Sequence, residues 1–299
     1  MVDVDITHET ITPSPVGPTE ASERAVARRE TLRLLIRRPA FIIGNIIVIG
    51  WIICAVLGTR ITPYDPINDF FDGHLPPSPE HWFGTDRLGR DVLSRVMVGS
   101  RDVLIIAPLA ALLGVVAGTI LGLIMGYYRG AVDDVLSRIV EAFLALPVVL
   151  VALLALVVLG TSPVVVISVV GILFTPIVAR TVRSAVLSER QLDYVTAARL
   201  RGESGWFIIT REIFPNVLGP TVVEMTVRFG YAIFTVATLS FLGVGLQPPS
   251  PDWGLSVSEE YTNMISGVWW STLFPALAIA STVVTVNLVA DSLQSVLNE

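Results

Sequence analysis

Five uncharged stretches constrain this chain more than any other feature: Ala40–Thr59, Val103–Tyr128, Ala142–Ala179, Phe229–Pro251 and Tyr261–Ala290. A helix crosses a bilayer with about 20 mostly apolar residues. Inside hydrocarbon every backbone N–H and C=O must find its partner within the segment, so runs of this length are helices. The third stretch is too long for one crossing, and Gly160-Thr161-Ser162-Pro163 reads as a tight turn that divides it. Six spans are therefore expected, with the first over 39–59. Hydrophobic types make up 53% of the 299 residues and charged types 15%, against roughly a quarter charged in a soluble domain. That surplus needs lipid as a second solvent, which excludes a disordered chain, a fibre, a disulfide scaffold and most soluble enzymes. The single Cys54 cannot form an intramolecular disulfide and reads as a small hydrophobe.

The 20 basic residues are all Arg, and with 26 acids the net charge is -6, so no nucleic-acid footprint is indicated. Orientation follows the Arg bias of the short loops. With a cytoplasmic N-terminus, fourteen Arg fall on the inside and five outside, all five in the first outer loop over 60–101. Both termini are expected in the cytoplasm, residues 294–299 included. Residues 1–21 are polar and Pro-bearing and read as a disordered tail. Residues 22–38 alternate Arg with aliphatics at helical spacing, as an amphipathic helix lying on the inner leaflet does.

Residues 102–293 then form a five-helix core interrupted by an inner segment, 188–216, too long for a plain connector. Leu192, Val195, Ala198 and Leu200 lead into a helix that breaks at Gly202, a residue suited to a left-handed cap. Glu203-Ser204 can open a second helix, which carries Trp206, Phe207, Ile208 and Ile213 and is expected to end at Pro215. A helix–Gly–helix element edged by Arg199, Arg201, Arg211 and Glu212 offers a soluble partner a grip.

Thr196-Ala197-Ala198, then Gly202, then Pro215, between the fourth and fifth of six spans, resembles the signature of permease subunits of ABC-type importers; Thr196 stands where that family carries Glu. His81-Trp82-Phe83-Gly84-Thr85-Asp86, Gly89-Arg90-Asp91 and Leu93-Ser94-Arg95 resemble the first outer loop of the dipeptide/oligopeptide/nickel permeases, on the C-type partner of the pair. So do Leu239-Ser240-Phe241-Leu242-Gly243 and Pro248-Pro249-Ser250-Pro251-Asp252-Trp253-Gly254. The resemblance covers the chain from about residue 30 onward. It implies an all-α integral membrane protein of the type I importer fold, paired with a second, similar permease. It also implies one or two ATP-binding subunits below, which hold the ATP and Mg, and an extracytoplasmic substrate-binding protein above. Thr196, Ala197, Ala198, Arg199, Gly202, Glu203 and Pro215 would then belong to the helix that couples to an ATPase. This chain would bind no cofactor or metal and hold no catalytic residue; it has no Lys and so no phosphate-binding Gly-Lys loop.

Charge in a bilayer is costly and draws a functional reading. Glu224 and Arg228 sit four apart, acid first, on one helical face; they read as a mutual ion pair, or as groups lining the substrate pathway. Arg138 and Glu141, three apart, read as a structural pair, and Asn287 as a helix–helix hydrogen bond. Gly114, Gly118, Gly122 and Gly126 form a stripe for close helix approach, within the chain or across a permease dimer. Trp253, Trp269 and Trp270, in an outer loop over 247–270, are placed at the membrane interface. A free-standing carrier would want an acid in mid-span, and an intramembrane hydrolase a Ser/His pair; neither is present. Nickel or another small complex is the alternative cargo to peptides.

Overall fold

The computed structural model describes residues 38–297, and the expected tail and amphipathic helix lie outside that range except for Arg38. The first helix, α1 (Pro39–Leu57), opens on Pro39, whose missing N–H costs nothing in a first turn. Its 19 residues measure about 28 Å, close to the thickness of a hydrocarbon core. Then come α2 (Val92–Tyr127), α3 (Ala131–Leu144), α4 (Val148–Leu159), α5 (Pro163–Glu189), α6 (Asp193–Leu200), α7 (Gly205–Phe241), α8 (Trp253–Glu260) and α9 (Trp270–Leu297). No strand occurs among the described residues.

Five of these helices, α1, α2, α5, α7 and α9, are long and apolar enough to cross a membrane, and α3 with α4 makes a sixth crossing only as a pair bent by 87°. The expected turn is in place: Gly160 ends α4 with φ +92°, and the Ser162 hydroxyl caps α5. The third span, however, is not one straight helix. Pro147 caps α4, because proline disfavours helical backbone in the residue before it. The uncharged stretch from Ala142 thus joins the last turn of α3 to the 12 residues of α4.

Helix boundaries differ elsewhere for one reason: charge says where the membrane ends, not where a helix ends. The α2 helix begins at Val92, with Asp91 accepting from the Ser94 N–H, so Arg95, Arg101 and Asp102 lie within it and the first outer loop stops at Asp91. The α7 helix ends at Phe241, ten residues before the uncharged stretch does, and α9 starts at Trp270 after a 3-10 turn over Tyr261–Ser266.

The core is built on α2 against α5. A Cβ on Gly118 would stand 2.5 Å from Val178 Cβ, on Gly122 2.7 Å from the Ala179 carbonyl, and on Gly126 2.6 Å from Val186 Cβ. The glycine stripe therefore serves a seam within this chain. At the opposite end from α6, residues 61–91 fold down over α8. Phe71 N–H donates to the Gly89 carbonyl at 2.8 Å; Gly89 has φ +78°, and a Cβ there would fall on Phe71 itself. Trp253 is not at an interface: it is fully buried, donates Nε1–H to the Val96 carbonyl at 2.8 Å and packs on Trp51. An indole with its one donor satisfied by a helix carbonyl is a core residue, which a count of aromatics near a span end does not reveal.

Candidate functional site

The α6 element is a rigid hook on the surface. Gly202 N–H donates to the Arg199 carbonyl at 3.0 Å, and Glu203 N–H to the Ala198 carbonyl at 3.2 Å. This paired closure, with Gly202 at φ +76°, is a Schellman cap. Ser204 then accepts from the Phe207 N–H at 3.2 Å and starts α7. Underneath, Val195 and Ala198 are buried against Ile208, Ile209, Ile213 and Val217. On the outer face Thr196, Ala197, Arg199 and Gly202 are exposed, Leu200 is 85% exposed, and Glu203 is half-buried.

Polar contacts lock the hook to its neighbours. Arg201 reaches Glu212 at 3.0 Å and Glu203 at 3.9 Å. The Tyr194 hydroxyl donates to Glu189 at 2.7 Å and accepts from the Asn216 amide at 3.2 Å. Burial, reinforced by the Glu189 carboxylate, pushes the Tyr194 phenol up to about 12. The Arg199 and Arg190 guanidiniums lie 5.4 and 5.9 Å from the Tyr127 ring. Burial, with Arg199 and Arg129 nearby, lowers the Arg190 pKa.

The second helix of the hook does not end at Pro215. It passes through a π-helical stretch, Ile208–Ile213, where the Phe214 N–H donates back to the Ile209 carbonyl, and runs on as α7 to Phe241. Proline lacks a donor and crowds the carbonyl four residues back; a turn wound one residue wider accommodates both. The consequence is mechanical: the second helix of the hook and the fifth span are one continuous helix.

Further along α7, Glu224 Oε1 and Arg228 Nε approach to 2.9 Å as an ion pair, each side chain 12% exposed and neither atom in a directed hydrogen bond. The Arg228 guanidinium also lies 4.8 Å from the Tyr231 ring centre. Arg138 and Glu141 are exposed and unpaired among the described residues. The ion pair of α3 is instead Asp133 with Arg183, doubly bonded at 2.6 Å. Its partners stand 50 positions apart, beyond any helical spacing rule. Asn287 makes no hydrogen bond among the described residues; its Oδ1 faces Gly230 of α7.

Sequence reasoning also missed a buried polar clasp at the opposite end. Glu260, 2% exposed, accepts from the Arg87 N–H, the Asn263 amide and the Ser271 hydroxyl, and meets His74 at 3.2 Å. Arg90 bridges Asp86 at 2.6 Å and Glu259 at 2.9 Å, and His81 meets Asp91 at 3.0 Å. The residues that carry the outer-loop resemblance thus hold residues 61–91 onto α8.

Residues 118–299 match the family described as the binding-protein-dependent transport system inner membrane component. This chain belongs to that family. It is 34% identical to the dipeptide transport system permease protein DppC of Bacillus subtilis, over 90% of this chain and 85% of that protein. It is 37% identical to the glutathione transport system permease protein GsiD of Pectobacterium atrosepticum, over 90% of both. The GsiD protein of Escherichia coli is 42% identical over 84% of this chain and 83% of its own length. A permease of this family is a membrane subunit and not itself the catalyst, and the hook and the glycine stripe from Gly118 to Gly126 lie within the matched residues.

Proposed function

We propose that this permease serves an ATP-driven importer of di- and oligopeptides, forms the pathway with a second permease, and takes its power stroke through the α6 hook. The observation that carries this reading is the continuity of the hook with α7. A push on the exposed face of Thr196, Ala197, Arg199 and Gly202 is delivered, through buried Ala198 and the π-helical turn before Pro215, to the span that holds Glu224 and Arg228. The Schellman cap and the Arg201–Glu212 contact shape the corner between the two helices. An ATPase pair that closes on ATP would move two such levers together and bias a two-state bundle.

In this reading the hook and both termini lie in the cytoplasm, in keeping with the Arg bias, and an extracytoplasmic binding protein delivers cargo over the clasp at the other end. The names of the relatives favour peptides: one moves dipeptides, two glutathione, itself a tripeptide. Glu224 and Arg228 hold each other as an ion pair on that span.

The test is a single cysteine at Leu200, in a chain whose Cys54 is replaced by Ser, with a short crosslinker in the native complex. The reading expects capture of an ATP-binding subunit from position 200 and none from a cysteine at Ile265, which is 94% exposed at the other end. Capture from position 265, or none from 200 in a complex that hydrolyses ATP, overturns it.

A further inference from the structure

Arg101 is the feature that neither the fold nor the coupling reading uses. It lies on α2 at the end remote from α6, inside the stretch long and apolar enough to cross a membrane. Its neighbours in sequence and chemistry are engaged. Asp102 accepts from the Ser250 hydroxyl at 2.7 Å, and Arg95 donates to the Pro66 and Ser250 carbonyls. Arg101 is exposed and has no hydrogen bond or ion pair among the described residues.

What it faces is a groove of ≈ 420 Å³ between α1 and α2, walled by Ile52, Ala55, Val56, Leu104 and Ile105, with Arg101 its one charged lining residue. Ile52 to Val56 fall in the last two turns of α1, within about 8 Å of the helix end at 1.5 Å per residue. Since α1 is about as long as the hydrocarbon is thick, the groove lies just under the membrane boundary and a guanidinium there reaches the phosphate level. A cation at this depth demands an anion. The walls demand an apolar chain, and no group among the described residues supplies either.

We propose that this groove holds one phospholipid, its phosphate on the Arg101 guanidinium and an acyl chain between α1 and α2. The lipid would be retained by charge-assisted hydrogen bonds, because leaving one hydrocarbon environment for another gains nothing. It would also cover part of a helix that leaves much apolar surface open: Ile42, Ile43, Ile46, Ile49, Ile52 and Ile53 are all exposed.

The test is native mass spectrometry of the whole complex, purified with its lipids and washed with detergent, beside a photoreactive residue at Val56. We expect one retained phospholipid, unaffected by excess inorganic phosphate. Retention should fall about tenfold or more in Arg101→Gln and in Ala55→Trp, which fills the groove, and persist in Arg101→Lys. The photoreactive residue should capture lipid. It needs no change at Arg101, so it decides the matter even if a variant fails to assemble. Absence of a retained lipid, retention that survives both Arg101→Gln and Ala55→Trp, displacement by inorganic phosphate, or capture of a protein from position 56 overturns the proposal.

Discussion

Replacing Gly202 separates two ways in which the hook could matter. Its φ of +76° is strained for any residue with a Cβ, yet no atom lies within 4 Å of where that Cβ would stand. Gly202→Ala therefore costs only the left-handed backbone penalty, about 1–2 kcal/mol. Gly202→Trp carries the same backbone cost, and its bulk points into open space, so within this chain the two variants are nearly equal. They differ only for a partner seated on the hook. Measured in proteoliposomes, Gly202→Ala should keep most of its ATP-driven uptake. Gly202→Trp should lose it about tenfold or more while ATP hydrolysis and complex recovery persist, since overpacking an interface costs about 1–3 kcal/mol. Equal uptake in the two variants would refute the argument, because the defect would then be backbone strain and not a partner's surface.

Other perturbations test the frame around the hook. Gly118→Val should destabilise by about 3 kcal/mol or more, as its Cβ meets Val178 Cβ and the Thr175 carbonyl, whereas Gly219→Ala in open space should stabilise by at most about 1 kcal/mol; thermal unfolding in detergent reads both. Glu224→Gln and Arg228→Gln should each impair uptake more than the double variant does, with a coupling of about 1–3 kcal/mol; additive defects would favour direct contact with cargo over the ion pair. Burial pushes the Asp252 carboxyl up to about 6, and its Oδ2 has no hydrogen-bond partner among the described residues. A raised carboxylate favours the folded state below its ordinary value and loses that contribution as pH rises from about 4 to 6. Asp252→Asn keeps the α8 cap and should stabilise at pH 8 by about 2–3 kcal/mol and flatten that pH window, as unfolding midpoints across pH will show.

How much of this was legible beforehand depended on whether the cause was local. Residue type alone placed the Gly202 cap, the Gly160–Pro163 turn and the glycine stripe, because a left-handed corner, a helix break and a close approach each demand particular residues. The early start of α2 and the late burial of Trp253 were hidden, since each depends on what residues 61–91 and α8 cover. The pair of Asp133 with Arg183, and the clasp around Glu260, join residues far apart in the chain. Pro215 misled for a subtler reason. A proline ends a regular helix, but a π-helical stretch just before it absorbs the misfit.

The central claim is that this chain works as one permease of a pair driven by ATPases, and co-purification tests it most directly. A tag on the C-terminal Glu299, gentle extraction from the native host and mass spectrometry of what stays bound should recover a second six-span permease with one or two ATP-binding subunits. A chain recovered alone, under conditions that hold another importer of this family together, would contradict the account.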